Sequence, residues 1–275
     1  LVLRQGLTDW LTGAAPSAPP NTASAGQVVV APPVEVLAEV DSTNSEAERR
    51  LAAGQEAPFA VLARAQSAGR GRLGRRWHST PAGNLYLSLA FRPFIPPENL
   101  KPFTLWMGLA VCAHVEAAYD VKLGLKWPND LWWQDRKLGG ILIEAATAGQ
   151  QSQVVIGIGI NIRPRPAEGL STPPAALTEL WPQATAGDAL LRLSAPLVRT
   201  LLDFERCGFA PLQARFEARD VLRGRDVHTS DGLQGQALGV GPSGALRLLT
   251  ASGEREVHSS EVSVRPVNTH PHTQT

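Results

Sequence analysis

The densest group of chemically capable residues runs from Gln66 to Trp77, where Gly69, Gly71 and Gly74 alternate with Arg70, Arg72, Arg75 and Arg76. Glycine lets the backbone turn tightly and bring N–H groups close to a ligand. Guanidinium groups stay charged at any working pH and donate in bidentate pairs to phosphate or carboxylate oxygens. The stretch reads as a loop for an anionic ligand; taken alone, it also fits a solvated basic turn or an Arg-Gly arm that binds nucleic acid. A second group comprises Lys126-Trp-Pro-Asn-Asp130 and Lys137-Leu-Gly-Gly-Ile-Leu-Ile-Glu144. Only four of the 26 basic residues are lysines, so Lys126 and Lys137 mark positions suited to a compact ammonium. A third is Ser42-Thr43-Asn44, whose hydroxyls and amide suit either a helix cap or a polar ligand at a helix N-terminus.

The elements that must position these groups follow from apolar periodicity. Val34 to Val40 reads as a strand, and Thr43 with Glu46 has the spacing of a capping box ahead of a helix over Ala47 to Ala53, ended by Gly54. Phe59 to Ala65 is a second strand that delivers Gln66 and the arginine loop. After a turn over Ser79 to Gly83, Asn84 to Phe91 alternates as a third. The loop is thereby held between two strands, and its arginines, lacking an obvious partner in sequence, predict mobility until a ligand orders it. Phe103 to Tyr119 is an apolar helix buried on most sides, with His114 as a partly buried structural histidine.

From Leu125 to Glu144, turns at Pro128-Asn129-Asp130 and Gln134-Asp135-Arg136 predict an antiparallel meander. Gly139 and Gly140, and Gly157 and Gly159 in the strand Gln153 to Ile162, leave room for something to lie against the sheet. A proline-rich connection over 163–187 precedes helical segments at Asp188 to Arg206, broken near Pro196, and Pro211 to Arg219. From Val221, turn signals at Ser230-Asp-Gly232, Gly241-Pro-Ser-Gly244 and Ala251-Ser-Gly253 separate short strands that predict a small β-barrel.

Composition narrows the classes. A net charge of +1 over 275 residues argues against a general polyanion binder, and no apolar run of membrane-spanning length occurs. The two cysteines, Cys112 and Cys207, are far apart and read as inert thiols rather than a disulfide or zinc framework. No metal-ligating spacing is present, and no signal sequence opens the chain, which predicts a cytoplasmic protein. Four segments are expected: a flexible leader over 1–33, a main domain over 34–220, a small C-terminal domain over 221–267 and a disordered tail over 268–275.

Lys-Trp-Pro-Asn-Asp at 126–130, Lys-Leu-Gly-Gly-Ile-Leu-Ile-Glu at 137–144, Gly-Arg-Gly-Arg at 69–72 and Gly-Ile-Gly-Ile-Asn at 157–161 together resemble the biotin protein ligases. The resemblance spans roughly residues 34–267 and implies an α+β fold. A mixed, largely antiparallel sheet flanked by helices, of the class II synthetase-like biotin ligase type, would be followed by a small SH3-like β-barrel. It implies ATP and biotin as substrates with Mg²⁺, activation of biotin as biotinyl-5′-AMP with release of pyrophosphate, then transfer to a lysine of the biotin carboxyl carrier protein of acetyl-CoA carboxylase. By matching motif, Ser42, Thr43, Asn44 and Gln66 would hold the ureido head, while Arg70, Gly71 and Arg72 would close over biotin and the adenylate. Lys137 would meet the biotin carboxylate and the reacting phosphate, and Trp77 would stack near the adenine. Lys126, Asn129, Asp130 and Asn161 would complete the nucleotide surroundings, with Asp130 orienting or deprotonating the acceptor amine.

Leu73 stands where relatives often carry another basic residue, and the leader is too short for the winged helix of bifunctional members. The expectation is therefore a monofunctional enzyme, monomer or homodimer, with no specific nucleic acid and no membrane. A lipoate or octanoate ligase of the same fold, and a non-catalytic biotin-binding regulator, are the alternatives.

Overall fold

The computed structural model describes residues 33–79, 83–92, 100–148, 151–170, 172–193, 197, 212–258 and 264–266. The expected leader (apart from residue 33), the tail, Cys207, the break near Pro196 and most of the helix expected to run to Arg206 lie outside them.

The larger sheet is built from β1 (Val34–Leu37), β2 (Phe59–Ala63), β3 (Asn84–Phe91), β4 (Gly124–Lys126), β5 (Asp130–Trp133), β6 (Arg136–Ala148) and β7 (Gln151–Asn161). Its order is β1-β2-β3-β7-β6-β5-β4, with β1 and β2 parallel and every other pair antiparallel. The meander expected from the two turn signals is β4-β5-β6. Strand alternation sends the two sets of β3 and β7 side chains to opposite faces. On one face Leu85, Leu87, Leu89, Val154, Ile156 and Ile158 join α2 (Leu100–Tyr119) in the main apolar core. On the other, Phe59, Val61, Ala90 and Val155 meet Ala47 and Leu51 of α1 (Thr43–Ala52) in a smaller cluster. That cluster covers only part of its face, and the uncovered part carries Tyr86, Ser88, Gly157 and Gly159 in register.

The capping box expected from Thr43 and Glu46 is not formed. The helix starts after Ser42, which makes no side-chain cap. Thr43 instead points its backbone N–H and hydroxyl at Gln66 Oε1, while Glu46 is drawn off by Arg49 and Arg50. Tertiary partners outcompete the local hydrogen bond because Gln66 reaches the same orphan donors.

The C-terminal strands β8 (Asp226–Thr229), β9 (Gln234–Val240), β10 (Leu246–Thr250), β11 (Gly253–Val257) and β12 (Val264–Pro266) form a second antiparallel sheet, ordered β11-β10-β9-β8-β12. Its turns fall at the three expected places, with Gly232, Gly244 and Gly253 at positive φ. Among the described residues β11 and β12 do not pair, so the expected barrel is observed as an open five-stranded sheet. Val227, Ala237, Val240, Leu246 and Leu248 belong to the same apolar cluster as the main sheet and α2, and Trp127 Nε1 donates to Gly244 O at 3.0 Å. No helix among the described residues is long and apolar enough to cross a membrane.

Candidate active site

The uncovered sheet face floors a cavity of about 400 Å³. Its walls gather Ser42, Thr43 and Asn44 from the start of α1, Gln66 after β2, Arg70 to Arg72 and Trp77 from the arginine loop, Lys126, Asn129 and Asp130 from the β4–β5 turn, and Lys137 of β6. Twelve of the thirteen expected residues thus meet in one volume. Asn161 does not line it. It is fully buried, and its Nδ2 donates to the carbonyls of Lys137 and Ala175 at 3.0 and 3.1 Å, bracing the strand that carries Lys137.

One wall is a polar network. Gln66 Oε1 accepts from Thr43 N–H at 2.8 Å and from its hydroxyl at 3.1 Å, and Gln66 Nε2 donates to Ser79. Ser88 Oγ is within bonding distance of Thr43 Oγ1 and Asn44 Oδ1, and Asn44 Nδ2 donates to Glu144 Oε2 at 2.8 Å. Ser42, Thr43, Asn44 and Ser88 are all buried, and the side chains of Thr43, Asn44 and Ser88 are hydrogen-bonded, so the orientations of these three are set before any ligand arrives.

The opposite end is cationic. Lys137 Nζ lies 2.7 Å from Asp130 Oδ1, and Lys126 Nζ lies 3.8 Å from Oδ2. Burial opposes ionisation of Asp130, but the Lys137 and Lys126 ammoniums outweigh it and hold its carboxyl below the usual aspartate value. The carboxylate is shared between the two ammoniums, an arrangement that fixes the Lys137 ammonium at the cavity wall. Desolvation lowers the pKa of Lys126 and also of Arg72, which Asp130 opposes in both cases. Asn129 Nδ2 donates to Ile141 O, tying the turn to β6.

The arginine loop is a short hairpin rather than an unpartnered coil. Arg70 bridges Arg76, Gly71 N–H donates to Arg75 O, and Trp77 N–H donates to Gly69 O. Leu73 at its tip adopts φ 56°, the left-handed conformation that a leucine rarely takes. The expectation that these arginines lack partners is overturned: Arg70 pairs with Glu48 and Glu144, and Arg76 donates to Ser67 O.

The room left by the sheet glycines is taken by the protein's own side chains. A Cβ on Gly157 would collide with the Asn44 carboxamide, and one on Gly159 would stand 2.7 Å from the Trp77 ring. The glycines therefore let Asn44 and Trp77 lie flat against β7, where they become cavity walls. Lys137 Nζ lies 5.3 Å from the Trp77 ring centroid and Arg165 5.9 Å from it.

Tyr86, Arg165 and Arg265 also line the cavity, and Ser88 and Glu144 organise it; of these only Glu144, the last residue of the 137–144 motif, stood out in the sequence, and without a role. For Ser88 a signal existed: it is a polar residue in an apolar strand, on the same face as Tyr86. For Arg265 none existed, because β12 reaches the site only through the packing of the second sheet.

Comparison with known proteins agrees with this geometry. Residues 36–161 match the biotin/lipoate A/B protein ligase family. The chain is 35% identical over 243 residues to the bifunctional ligase/repressor BirA of Escherichia coli K12, covering 84% of this chain and 74% of that protein. It is 34% identical over 239 residues to the biotin–[acetyl-CoA-carboxylase] ligase of Paracoccus denitrificans, covering 82% and 98%. The biotin protein ligase from Aquifex aeolicus, in complex with biotin and ATP, is similar with TM-score 0.73 and 29% identity, covering 86% of this chain and 99% of that one. The chain belongs to the biotin/lipoate A/B protein ligase family.

Proposed function

We propose that this protein is an ATP-dependent biotin protein ligase that forms biotinyl-5′-AMP and then transfers the biotinyl group to a lysine of the biotin carboxyl carrier protein of acetyl-CoA carboxylase. The observation that carries the reading is the polarity of the cavity: a preorganised hydrogen-bonding wall of Thr43, Asn44 and Gln66 on one side, and Lys126, Lys137 and Arg72 around Asp130 on another. Biotin has the matching polarity, a ureido ring at one end and a carboxylate at the other.

In the first step a carboxylate oxygen attacks the α-phosphorus and pyrophosphate leaves. Two anions must approach, so cations fixed near the contact stabilise both the approach and the charge gathering on the leaving group. Lys137, oriented by Asp130, and Arg72 are the residues assigned to this work. Thr43, Asn44 and Gln66 are assigned to the ureido ring, Arg70 and Gly71 to the closing loop, and Trp77 to the adenine face. Asp130 is the only carboxylate among the described cavity-lining residues, and it is already committed to two ammoniums. A metal held by the protein does not fit that donor set, so Mg²⁺ belongs to the MgATP substrate, ligated by phosphates.

In the second step the carrier amine attacks the acyl carbon, AMP leaves and the amine loses a proton, which needs no protein nucleophile. The second sheet is taken as an SH3-like domain that lends Arg265 to the site, and the reaction is placed in the cytoplasm with its carrier.

The test is pyrophosphate release by the purified chain with MgATP and either biotin or lipoate, with mass analysis of the bound product and of added carrier protein. Release with biotin, a bound mass of biotinyl-AMP and one biotinyl adduct on the carrier are expected. Release with lipoate alone would overturn the reading, and tight biotin binding without release would make the protein a regulator.

A further inference from the structure

One carboxylate joins the two walls of the cavity. Glu144, on β6, accepts from Asn44 Nδ2 with Oε2 at 2.8 Å, and its Oε1 takes the Arg70 guanidinium. Asn44 belongs to the polar wall at the start of α1; Arg70 belongs to the hairpin. Because the Asn44 nitrogen is committed to Glu144 and to Leu142 O, its Oδ1 turns toward Ser88 and lies over Gly157. The choice of which end of that carboxamide faces the cavity matters for a ureido ring, which carries two N–H donors and one carbonyl acceptor.

Arg70 has a second anchor. Its Nη1 donates to Glu48 Oε2 at 2.8 Å and to Ser45 Oγ at 3.2 Å, both on α1. Glu48 thus holds the hairpin alone, whereas Glu144 holds the hairpin and the head pocket together. Burial raises the carboxyl pKa of Glu144, with nearby Glu48 acting the same way and the Asn44 and Arg70 bonds opposing them.

We propose that Glu144 is a positioning residue that couples the two walls, setting the Asn44 carboxamide for the biotin ring and holding the hairpin closed over the intermediate through the same carboxylate. This rests on the cavity being the biotin site.

The experiment compares the full chain with Glu144→Gln and Glu48→Gln, reading melting temperature, biotin Kd without ATP, and the dissociation rate of preformed biotinyl-AMP. Glu144→Gln, at unchanged melting temperature, is expected to weaken biotin and to speed loss of the intermediate, each by about tenfold, the scale of one charge-assisted hydrogen bond. Glu48→Gln is expected to speed loss of the intermediate while leaving biotin Kd within about twofold. The coupling is overturned if Glu144→Gln moves neither quantity or only one, or if Glu48→Gln moves both alike.

The parent chain gives an independent answer should the variant not fold. As pH falls through the protonation of Glu144, biotin affinity and intermediate retention should decline with a shared midpoint; Glu48 and Arg70 are the charged groups facing Glu144. Two separate midpoints would overturn the coupling. A parent that binds no biotin defeats the functional reading itself, whereas an active parent matched by Glu144→Gln defeats only this inference.

Discussion

Asp130 and Lys137 meet at 2.7 Å across the β5–β6 hairpin, and Lys126 stands 3.8 Å from the other oxygen of the same carboxylate. Removing that charge leaves two partly desolvated ammoniums without a counter-ion, which costs about 3 kcal/mol. Asp130→Asn should therefore lower the unfolding free energy by about that amount at pH 7. Since the folded-state pKa is held below the ordinary aspartate value, the stabilisation is present above that ordinary value and is lost as pH falls through the lowered one. Denaturant titrations should show the parent and variant converging in acid; equal stability at pH 7 would refute the role.

Gly159 permits Trp77 to lie on β7, with a Cβ there only 2.7 Å from the indole. Gly159→Ala should lift the ring from the sheet and raise KM for ATP about tenfold, the scale of one lost stacking contact. Biotin Kd measured without ATP should stay within about twofold. A shift in biotin Kd as large as that in the ATP KM would mean the ring serves the other end of the cavity.

Asn161, on the same face of β7 as Gly157 and Gly159, braces β6 through the carbonyls of Lys137 and Ala175. Asn161→Ala leaves both without that donor and should cost about 2 kcal/mol of stability, with the KM for ATP little changed. An unchanged melting temperature with a raised KM would make Asn161 a nucleotide contact instead.

Asp220 bridges Leu125 of β4 at the edge of the larger sheet and is half-buried, with Oδ1 accepting from Leu222 N–H and a buried Oδ2 without a partner. Burial pushes its carboxyl up to about 6, Glu217 adding to the effect and Arg223 and the Leu222 N–H opposing it. A raised folded-state pKa means the protonated form stabilises below the unfolded value, near 3.9, and that benefit is lost as pH rises through 6. Asp220→Asn should thus match the parent near pH 3.5 and exceed it by up to about 3 kcal/mol at pH 8. Urea midpoints at the two pH values decide the matter, and an equal gap at both would show that Asp220 does not titrate as its burial implies.

Much was legible in the chain itself. A continuous apolar run predicted the strand from Phe59 to Ala65, observed over Phe59–Ala63, alternation predicted the one from Asn84 to Phe91, paired turn signals predicted the β4-β5-β6 meander, and the motifs with their spacing named all but one of the expected residues that meet in the cavity. These features are local: a turn or a strand face depends on neighbours a few residues apart. Other features required the folded molecule. That Gln66 replaces the expected capping box, that Asn44 and Trp77 fill the space above Gly157 and Gly159, that Asn161 is a brace, and that one Glu144 carboxylate serves both Asn44 and Arg70 are relations between distant segments. Strand parity tells which face a side chain takes, but only the register of β3, β7 and β6, and the helix packed across them, decides which distant groups come within hydrogen-bonding reach.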